Sequence, residues 1–216
     1  PRPPDPSERL DAVLALYRRD RRLRPSDRPR FDFVADVAGD ARPERVLAFG
    51  KDLVVLGAGF REGRGYASLG LGFGRPDDVL DVGARDLDGD GKAELVVRAR
   101  QEAPAPRELG KGAVERELLA IYTVRGDAIV RSFGLETGLS LGPKRVASAL
   151  VFVPEAGRPG ATLVVQPGRA TGWTRASWPF RPGAVEGGFE PLLLPWDAGP
   201  RRYRWQGASL VRAAGE

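Results

Sequence analysis

Four carboxylates lie within nine residues of one segment of the sequence. Asp86, Asp88 and Asp90 occupy alternate positions, Gly91 follows them, and Glu94 comes three positions after the glycine. In a tightly curled loop, alternate residues direct their side chains at one centre, and calcium takes roughly six to eight such oxygen ligands. The sequence therefore predicts a calcium-binding loop in which the glycine permits the sharp turn.

The residues that follow the aspartates indicate the type of loop. Lys92 is expected to contribute its backbone carbonyl, and Glu94 closes the ligand set at the ninth position. In an EF-hand the closing acid is the twelfth residue, which is Val97 in this chain, so the segment is not an EF-hand. Because Glu94 runs directly into an apolar segment, we expect the loop to join two β-strands. Magnesium binding, or a solvated loop without a metal, are the alternatives.

A second copy of this pattern lies earlier in the chain. Residues 36–47 align without gaps with residues 86–97, at an offset of 50 positions. The carboxylates of this copy are Asp36, Asp40 and Glu44. Ala38 replaces one of the expected ligands and Ala41 replaces the turn glycine. We therefore expect a degenerate second loop that binds metal weakly or not at all, with Asp36 and Asp40 capping turns instead.

Residues 86–97, and more weakly residues 36–47, resemble the FG-GAP or VCBS-type repeats of integrin α-chain propellers and of many bacterial surface and secreted proteins. The resemblance implies β-propeller-like sheets in which calcium fixes the loop that enters a blade strand, and it implies no catalytic activity. A period near 50 residues is the size of a propeller blade, and about four such units fit the chain. We therefore predict an all-β protein of β-propeller-like repeats of about 50 residues, a small or incomplete propeller, with one N-terminal helix.

The remaining elements follow from periodicity and turn residues. Residues 1–25 are predicted as a linker and a helix over 8–23 with Ser7 as its N-cap, and residues 26–216 as the β-rich repeat domain. An exposed loop is predicted over 101–112, which is rich in proline and charge. The predicted strands cover residues 31–37, 45–49, 53–56, 66–71, 79–84, 94–100, 116–124, 128–134, 147–153, 162–167, 192–194, 201–205 and 209–212.

The composition excludes several classes of site and indicates a compartment. Cysteine and histidine are absent, which removes disulfides, thiolate metal sites and the commonest zinc and triad chemistry. The net charge of +5 comes from arginines scattered among acidic residues, so nucleic-acid binding is not predicted. No apolar run approaches the roughly 20 residues of a membrane span. The chain starts at Pro1 and lacks methionine, which favours a processed N-terminus and an extracytoplasmic location, whether periplasmic, outer-membrane-attached or secreted.

From these features we expect a calcium-stabilised, non-catalytic binding or scaffold module of a bacterial cell envelope or of a secreted protein. Its expected partner is another envelope protein or a glycan. A secreted hydrolase, or the accessory domain of one, is the alternative, because carboxylate pairs can meet in space without being adjacent in sequence.

Two further motifs have simpler interpretations than ligand binding. The tripeptide Arg125-Gly126-Asp127 separates two predicted strands and favours a hairpin turn. The aromatics Trp173, Trp178 and Phe180 are predicted to cover the core, with ligand contact as the alternative.

Overall fold

The structure is a computed structural model that describes residues 6–57, 60–155, 157, 160–180, 187–197 and 199–213. It contains one α-helix and twelve β-strands. The strands are β1 Phe31–Ala35, β2 Glu44–Phe49, β3 Asp52–Leu56, β4 Tyr66–Gly70, β5 Val79–Arg85, β6 Glu94–Pro104, β7 Ala113–Arg125, β8 Ala128–Leu141, β9 Lys144–Pro154, β10 Ala161–Thr171, β11 Arg201–Gln206 and β12 Ser209–Arg212. The predicted all-β class with one N-terminal helix is confirmed.

The helix α1 spans Pro6–Asp20, whereas the sequence predicted residues 8–23 with Ser7 as the N-cap; that cap prediction is wrong, because Ser7 lies within the helix. It ends earlier because Arg22 has a left-handed backbone, with φ of 55°. The N–H of Leu23 then donates to the carbonyl of Arg18 at 2.9 Å, as in a Schellman-type helix end. Val13 and Tyr17 lie on the buried side of α1 and pack against the first sheet.

The strands form two antiparallel sheets. The first has the order β1-β2-β3-β4, and the second runs from β5 to β12 with every strand beside its neighbours in sequence. The larger sheet consists of two four-stranded units, because β8 and β9 pair over only four residues each, 138–141 with 144–147. We name the units the first (β1–β4), second (β5–β8) and third (β9–β12) meanders. Neither sheet closes on itself within the described residues.

The register shows that the sequence repeat is also a structural repeat. Glu44 begins β2 opposite Ala35 of β1, and Glu94 begins β6 opposite Arg85 of β5. The connections 36–43 and 86–93 therefore join the first and second strands of their meanders in the same way. The prediction of propeller-like repeats of about 50 residues is confirmed, with three four-stranded units in the described part of the chain instead of about four.

The cores lie between successive layers. In β2, Val46 and Ala48 pack toward the second meander, whereas Leu47 and Phe49 pack toward α1. This division follows from the alternation of side chains in a strand, and it explains why consecutive residues of β2 are all apolar. A further core lies between the second and third meanders, where the rings of Phe133 and Tyr203 are 4.8 Å apart. The order of layers is thus α1, first, second and third meander.

Two predicted elements are wrong or only partly right. Residues 192–194 form no strand, although Leu192 and Leu193 are buried. These residues belong to the long connection between β10 and β11, and their apolar side chains pack into two cores: Leu192 into the cluster around Trp173, and Leu193 into the core between the second and third meanders. The predicted loop 101–112 is shorter than expected, because residues 101–104 continue β6 and pair with β7.

The simpler interpretations of two motifs are confirmed. Gly126 and Asp127 form the two-residue connection between Arg125, the last residue of β7, and Ala128, the first of β8. The side chains of Arg125 and Asp127 contact the Ala208 carbonyl and Arg61 respectively. Trp173 is buried and packs edge-to-face on Trp178, with ring centroids 5.0 Å apart, so these aromatics cover the core.

Candidate functional site

Loop 2, which we define as residues 86–94, connects β5 to β6. The carboxylate of Asp86 folds the loop, because its two oxygens accept the N–H groups of Gly89 at 2.6 Å and of Gly91 at 3.0 Å. Both glycines have left-handed backbones, with φ of 81° and 87°. Glycine adopts this conformation without the steric cost of a side chain, so the sequence Asp-x-x-Gly-x-Gly specifies the turn.

The next two aspartates continue the same curl. Asp88 accepts the N–H of Asp90 at 3.1 Å, and Asp90 accepts the N–H of Lys92 at 2.8 Å. Each carboxylate therefore satisfies a backbone donor two residues ahead, as in an Asx-turn. The ammonium of Lys92 donates to the carbonyl of Val124.

Glu94 is fully buried at the start of β6. One of its oxygens, Oε2, accepts the N–H of Leu87 at 2.8 Å. The other oxygen, Oε1, is buried and has no hydrogen-bond partner among the described residues. A buried carboxylate oxygen without a donor is costly when the group is ionised.

Three of the predicted ligands converge. One oxygen from each of Asp86, Asp88 and Glu94 lies within 4.8 Å of the others. Asp90, whose carboxylate holds the Lys92 N–H, is not part of this cluster. A metal role for Asp90 and for the Lys92 carbonyl stays a prediction, as does metal binding by the other three.

The cluster raises the pKa of two of its members. Burial, together with the negative charges of Asp88, Asp90 and Asp86, raises the pKa of Glu94 to about 7, against the opposing hydrogen bond from the Leu87 N–H. Burial also raises the pKa of Asp88, and the neighbouring carboxylates add to the effect. Burial and the neighbouring negative charges thus disfavour the ionised forms of Glu94 and Asp88.

Loop 1, which we define as residues 36–44, has the same backbone. Asp36 accepts the N–H groups of Gly39 at 2.7 Å and of Ala41 at 3.0 Å, as Asp86 does in loop 2. Glu44 is buried like Glu94, and its Oε1 also has no partner among the described residues. Burial raises the pKa of Glu44. The alignment of residues 36–47 with residues 86–97 was not used to predict this burial, although it places Glu44 at the position of Glu94.

Two of the five substitutions between loop 1 and loop 2 change the charged groups of the loop. Ala38 stands where loop 2 has Asp88, so the third converging carboxylate is missing. The carboxylate of Asp40 is engaged by the guanidinium of Arg42, with Nη2 and Oδ2 2.8 Å apart. Arg42 occupies the position of Lys92. Loop 1 therefore holds part of its negative charge in an internal ion pair.

Loop 3, residues 155–160, joins β9 to β10 and is described at residues 155, 157 and 160. Ala161 faces Pro154 in the register and so takes the position of Glu94, while Glu155 takes that of Asp86. Glu155 accepts hydrogen bonds from the Thr162 hydroxyl and, at 2.8 Å, from Arg204. Because the closing acid is absent, loop 3 lacks the cluster found in loop 2.

The carboxylates of one open cleft differ from those of loop 2. A cleft of about 600 Å³ is lined by residues that include Asp78 and Glu102, and both carboxylates are paired with Arg75. Burial opposes ionisation of Asp78, but the backbone N–H and guanidinium of Arg75 outweigh it and hold its pKa below the ordinary value. These acids are therefore paired with arginine, whereas the acids of loop 2 form no ion pair with any residue that the structure describes.

The fold and the loop together define a class of protein: four-stranded antiparallel repeats in which an acidic loop joins the first strand to the second. Comparison with known families agrees with this class. The family model of the FG-GAP repeat matches residues 80–114, which run from β5 through loop 2 and β6 to the start of β7. The predicted resemblance to the FG-GAP repeat is thus confirmed for the copy that contains loop 2, the loop with the complete acidic cluster.

Further comparisons gave no relative of the whole chain. Neither a search of the curated proteins nor a search of the solved structures gave a match. Among the described residues, no helix combines the length and apolar character needed to span a bilayer. An FG-GAP repeat favours a binding or scaffold module over a catalyst.

Proposed function

We propose that the protein is a non-catalytic binding or scaffold module whose fold is stabilised by calcium bound in loop 2. The observation that carries this proposal is the buried Oε1 of Glu94, which lacks a partner among the described residues and belongs to a carboxyl grouped with Asp86 and Asp88. Asp90 and the carbonyl of Lys92 are the further ligands that we propose.

The chemistry of the donor set fits a hard cation. The cluster offers carboxylate oxygens alone, and the chain contains neither cysteine nor histidine. Calcium prefers oxygen ligands and tolerates irregular geometry, whereas magnesium demands a near-octahedral set and retains its water. When bound, calcium would supply the positive charge that Glu94 and Asp88 otherwise lack. The aspartates keep the loop curled through their own backbone hydrogen bonds.

We further propose that the module acts outside the cytoplasm, in a cell envelope or a secreted protein, with another envelope protein or a glycan as its partner. The FG-GAP repeat supports this, because such repeats are usually parts of extracellular domains that mediate binding. The free calcium level outside cells also suits a site of moderate affinity.

Calcium titration of the 216-residue chain, freed of metal beforehand with a chelator, tests the metal part of the proposal. We expect one saturable site by calorimetry and weaker binding of magnesium. At a calcium concentration about 100 times Kd, the native state gains about 2.7 kcal/mol, which raises Tm by about 5–10 °C for a chain of this size. A Tm that is the same in calcium and in chelator would contradict the proposal.

A further inference from the structure

Loop 2 lies between its two counterparts and is hydrogen-bonded to both. On one side, the N–H of Ala93 donates to the carbonyl of Asp36 in loop 1 at 2.8 Å. On the other side, the N–H of Ala161, which directly follows loop 3, donates to the carbonyl of Leu87 at 2.8 Å. The loop that carries the complete acidic cluster is therefore also the point where all three meanders meet.

The contact with loop 3 is very close. Gly160 has a φ of 88°, and a Cβ built on it would lie 2.5 Å from the carbonyl oxygen of Asp88 and 2.8 Å from that of Leu87. These neighbours are backbone atoms, which cannot move aside as the end of a flexible side chain can. Only glycine fits here, so loop 3 packs directly on the backbone of one of the clustered acids.

The contact with loop 1 is looser. A Cβ on Gly39 would lie 3.3 Å from Cδ of Lys92, an atom in a flexible side chain. A small movement of that side chain would relieve the contact. The third meander is thus more sensitive than the first to the exact backbone position of loop 2.

We propose that cation binding in loop 2 is coupled to the docking of the third meander, through the contact of Gly160 and Ala161 with the backbone of residues 87–88. This rests on the proposed function, since it requires that loop 2 binds a cation. A cation held by the Asp88 carboxylate restricts the movement of Asp88, and the backbone carbonyl of the same residue lies against Gly160. The metal site then strengthens contacts between repeats in addition to stabilising its own turn.

Thermodynamic linkage makes the coupling measurable from both directions. If the cation favours docking of loop 3, then a change that weakens docking must weaken cation binding by the same factor. Calcium affinity therefore reports on a contact made by residues that are not themselves ligands.

The chain offers a matched pair of glycines for the test. Gly160→Ala places a methyl group against the Asp88 carbonyl. Gly157→Ala introduces the same residue at a similar φ of 74°, and no atom of the described residues lies within 4 Å of the new Cβ. Both variants carry the left-handed strain of alanine, and only one disturbs the contact with loop 2. We expect Gly160→Ala to weaken calcium binding about tenfold by calorimetry, within the usual range of coupling, and Gly157→Ala to leave it unchanged.

Amide exchange gives a second readout that does not depend on affinity. In the wild-type chain, calcium should slow exchange of the Ala161 N–H, and in Gly160→Ala this effect should be lost. Ala161→Pro removes the hydrogen bond to Leu87 without adding bulk at Asp88, and it should weaken calcium binding by a smaller factor. This variant serves if Gly160→Ala does not fold.

The outcomes separate the two proposals. If the wild-type chain binds no calcium, the proposed function fails and the coupling fails with it. If the wild-type chain binds calcium but Gly160→Ala and Gly157→Ala bind it with equal affinity, the proposed function stands and the coupling is wrong. The same conclusion follows if Ala161→Pro binds calcium as tightly as the wild type.

Discussion

Loops 1 and 2 share a backbone conformation but differ in the balance of their charged side chains. In both, an aspartate at the first position accepts two N–H groups and a buried glutamate closes the turn. Residues 36–44 carry three acids and one arginine, a formal charge of −2, while residues 86–94 carry four acids and one lysine, a charge of −3. Arg42 is paired inside loop 1, whereas Lys92 donates to Val124. The shared turn therefore depends on the first aspartate and on the glycine three positions later, Gly39 or Gly89. The extra carboxylate, Asp88, distinguishes the loop in which we propose a cation.

The largest expected difference concerns Glu94. Its folded-state pKa of about 7 lies above the ordinary 4.5. The protonated form is thus favoured by folding, and the resulting stability is complete below about pH 4.5 and lost as the pH rises through 7. In chelator, we expect the free energy of unfolding to fall by about 3 kcal/mol over this range because of this group. Urea denaturation from pH 4 to pH 8 measures it.

The control for this prediction is Glu94→Gln, which should remove most of that fall, while Glu44→Gln should remove less. Calcium should oppose the fall in the wild-type chain, since it favours the ionised carboxylate. A wild-type pH profile in chelator that matches the profile of Glu94→Gln would show that this glutamate is not responsible.

The second difference concerns the carboxylate that only loop 2 has. Asp88→Ala should abolish the stabilisation by calcium, about 2.7 kcal/mol at a concentration 100 times Kd. Asp40→Ala should preserve it, because Asp40 is paired with Arg42 in the loop that lacks the third acid. Thermal melts of both variants in calcium and in chelator provide the measurement, and equal losses in the two variants would mean that both loops bind metal.

The smallest difference concerns the turn itself. Ala41 has a φ of 59° in loop 1, at the position where loop 2 has Gly91 with a φ of 87°. We expect Ala41→Gly to stabilise the chain by up to about 1 kcal/mol and Gly91→Ala to destabilise it by about 1 kcal/mol, because a left-handed backbone penalises a Cβ. No atom lies within 4 Å of a Cβ at position 91, so strain alone is tested there. Chemical denaturation in chelator should show changes of opposite sign, and changes of the same sign would refute the shared backbone.

The features encoded locally could be predicted from the sequence. The acidic loop lies within nine consecutive residues, and most strands are bounded by glycine, proline or aspartate, so both have short-range signals. The strand predicted at residues 192–194 is wrong because an apolar run indicates that side chains are buried, but not that the backbone pairs with another strand. The run is flanked by Pro191 and Pro195, which have no N–H to donate to a neighbouring strand.

The contacts between repeats could not be predicted in this way. The closeness of Gly160 to Asp88 depends on how the third meander packs on the second, across more than 70 positions of sequence. Glu44 likewise lies against Gly57, where an added Cβ would lie 2.6 Å from the Cγ of the glutamate. Such positions carry no periodic signal, although an isolated glycine before a strand is a hint of close backbone approach.

The helix α1 has a consequence for how the array of repeats can be extended. It covers Leu47, Phe49, Val54 and Leu56, the face of the first meander opposite to the second. The hydroxyl of Tyr17 adds a hydrogen bond to Asp52 at 3.2 Å. A sheet face of this kind would otherwise accept another four-stranded unit. Since α1 occupies it, another four-stranded unit packed on this face would first have to displace the helix.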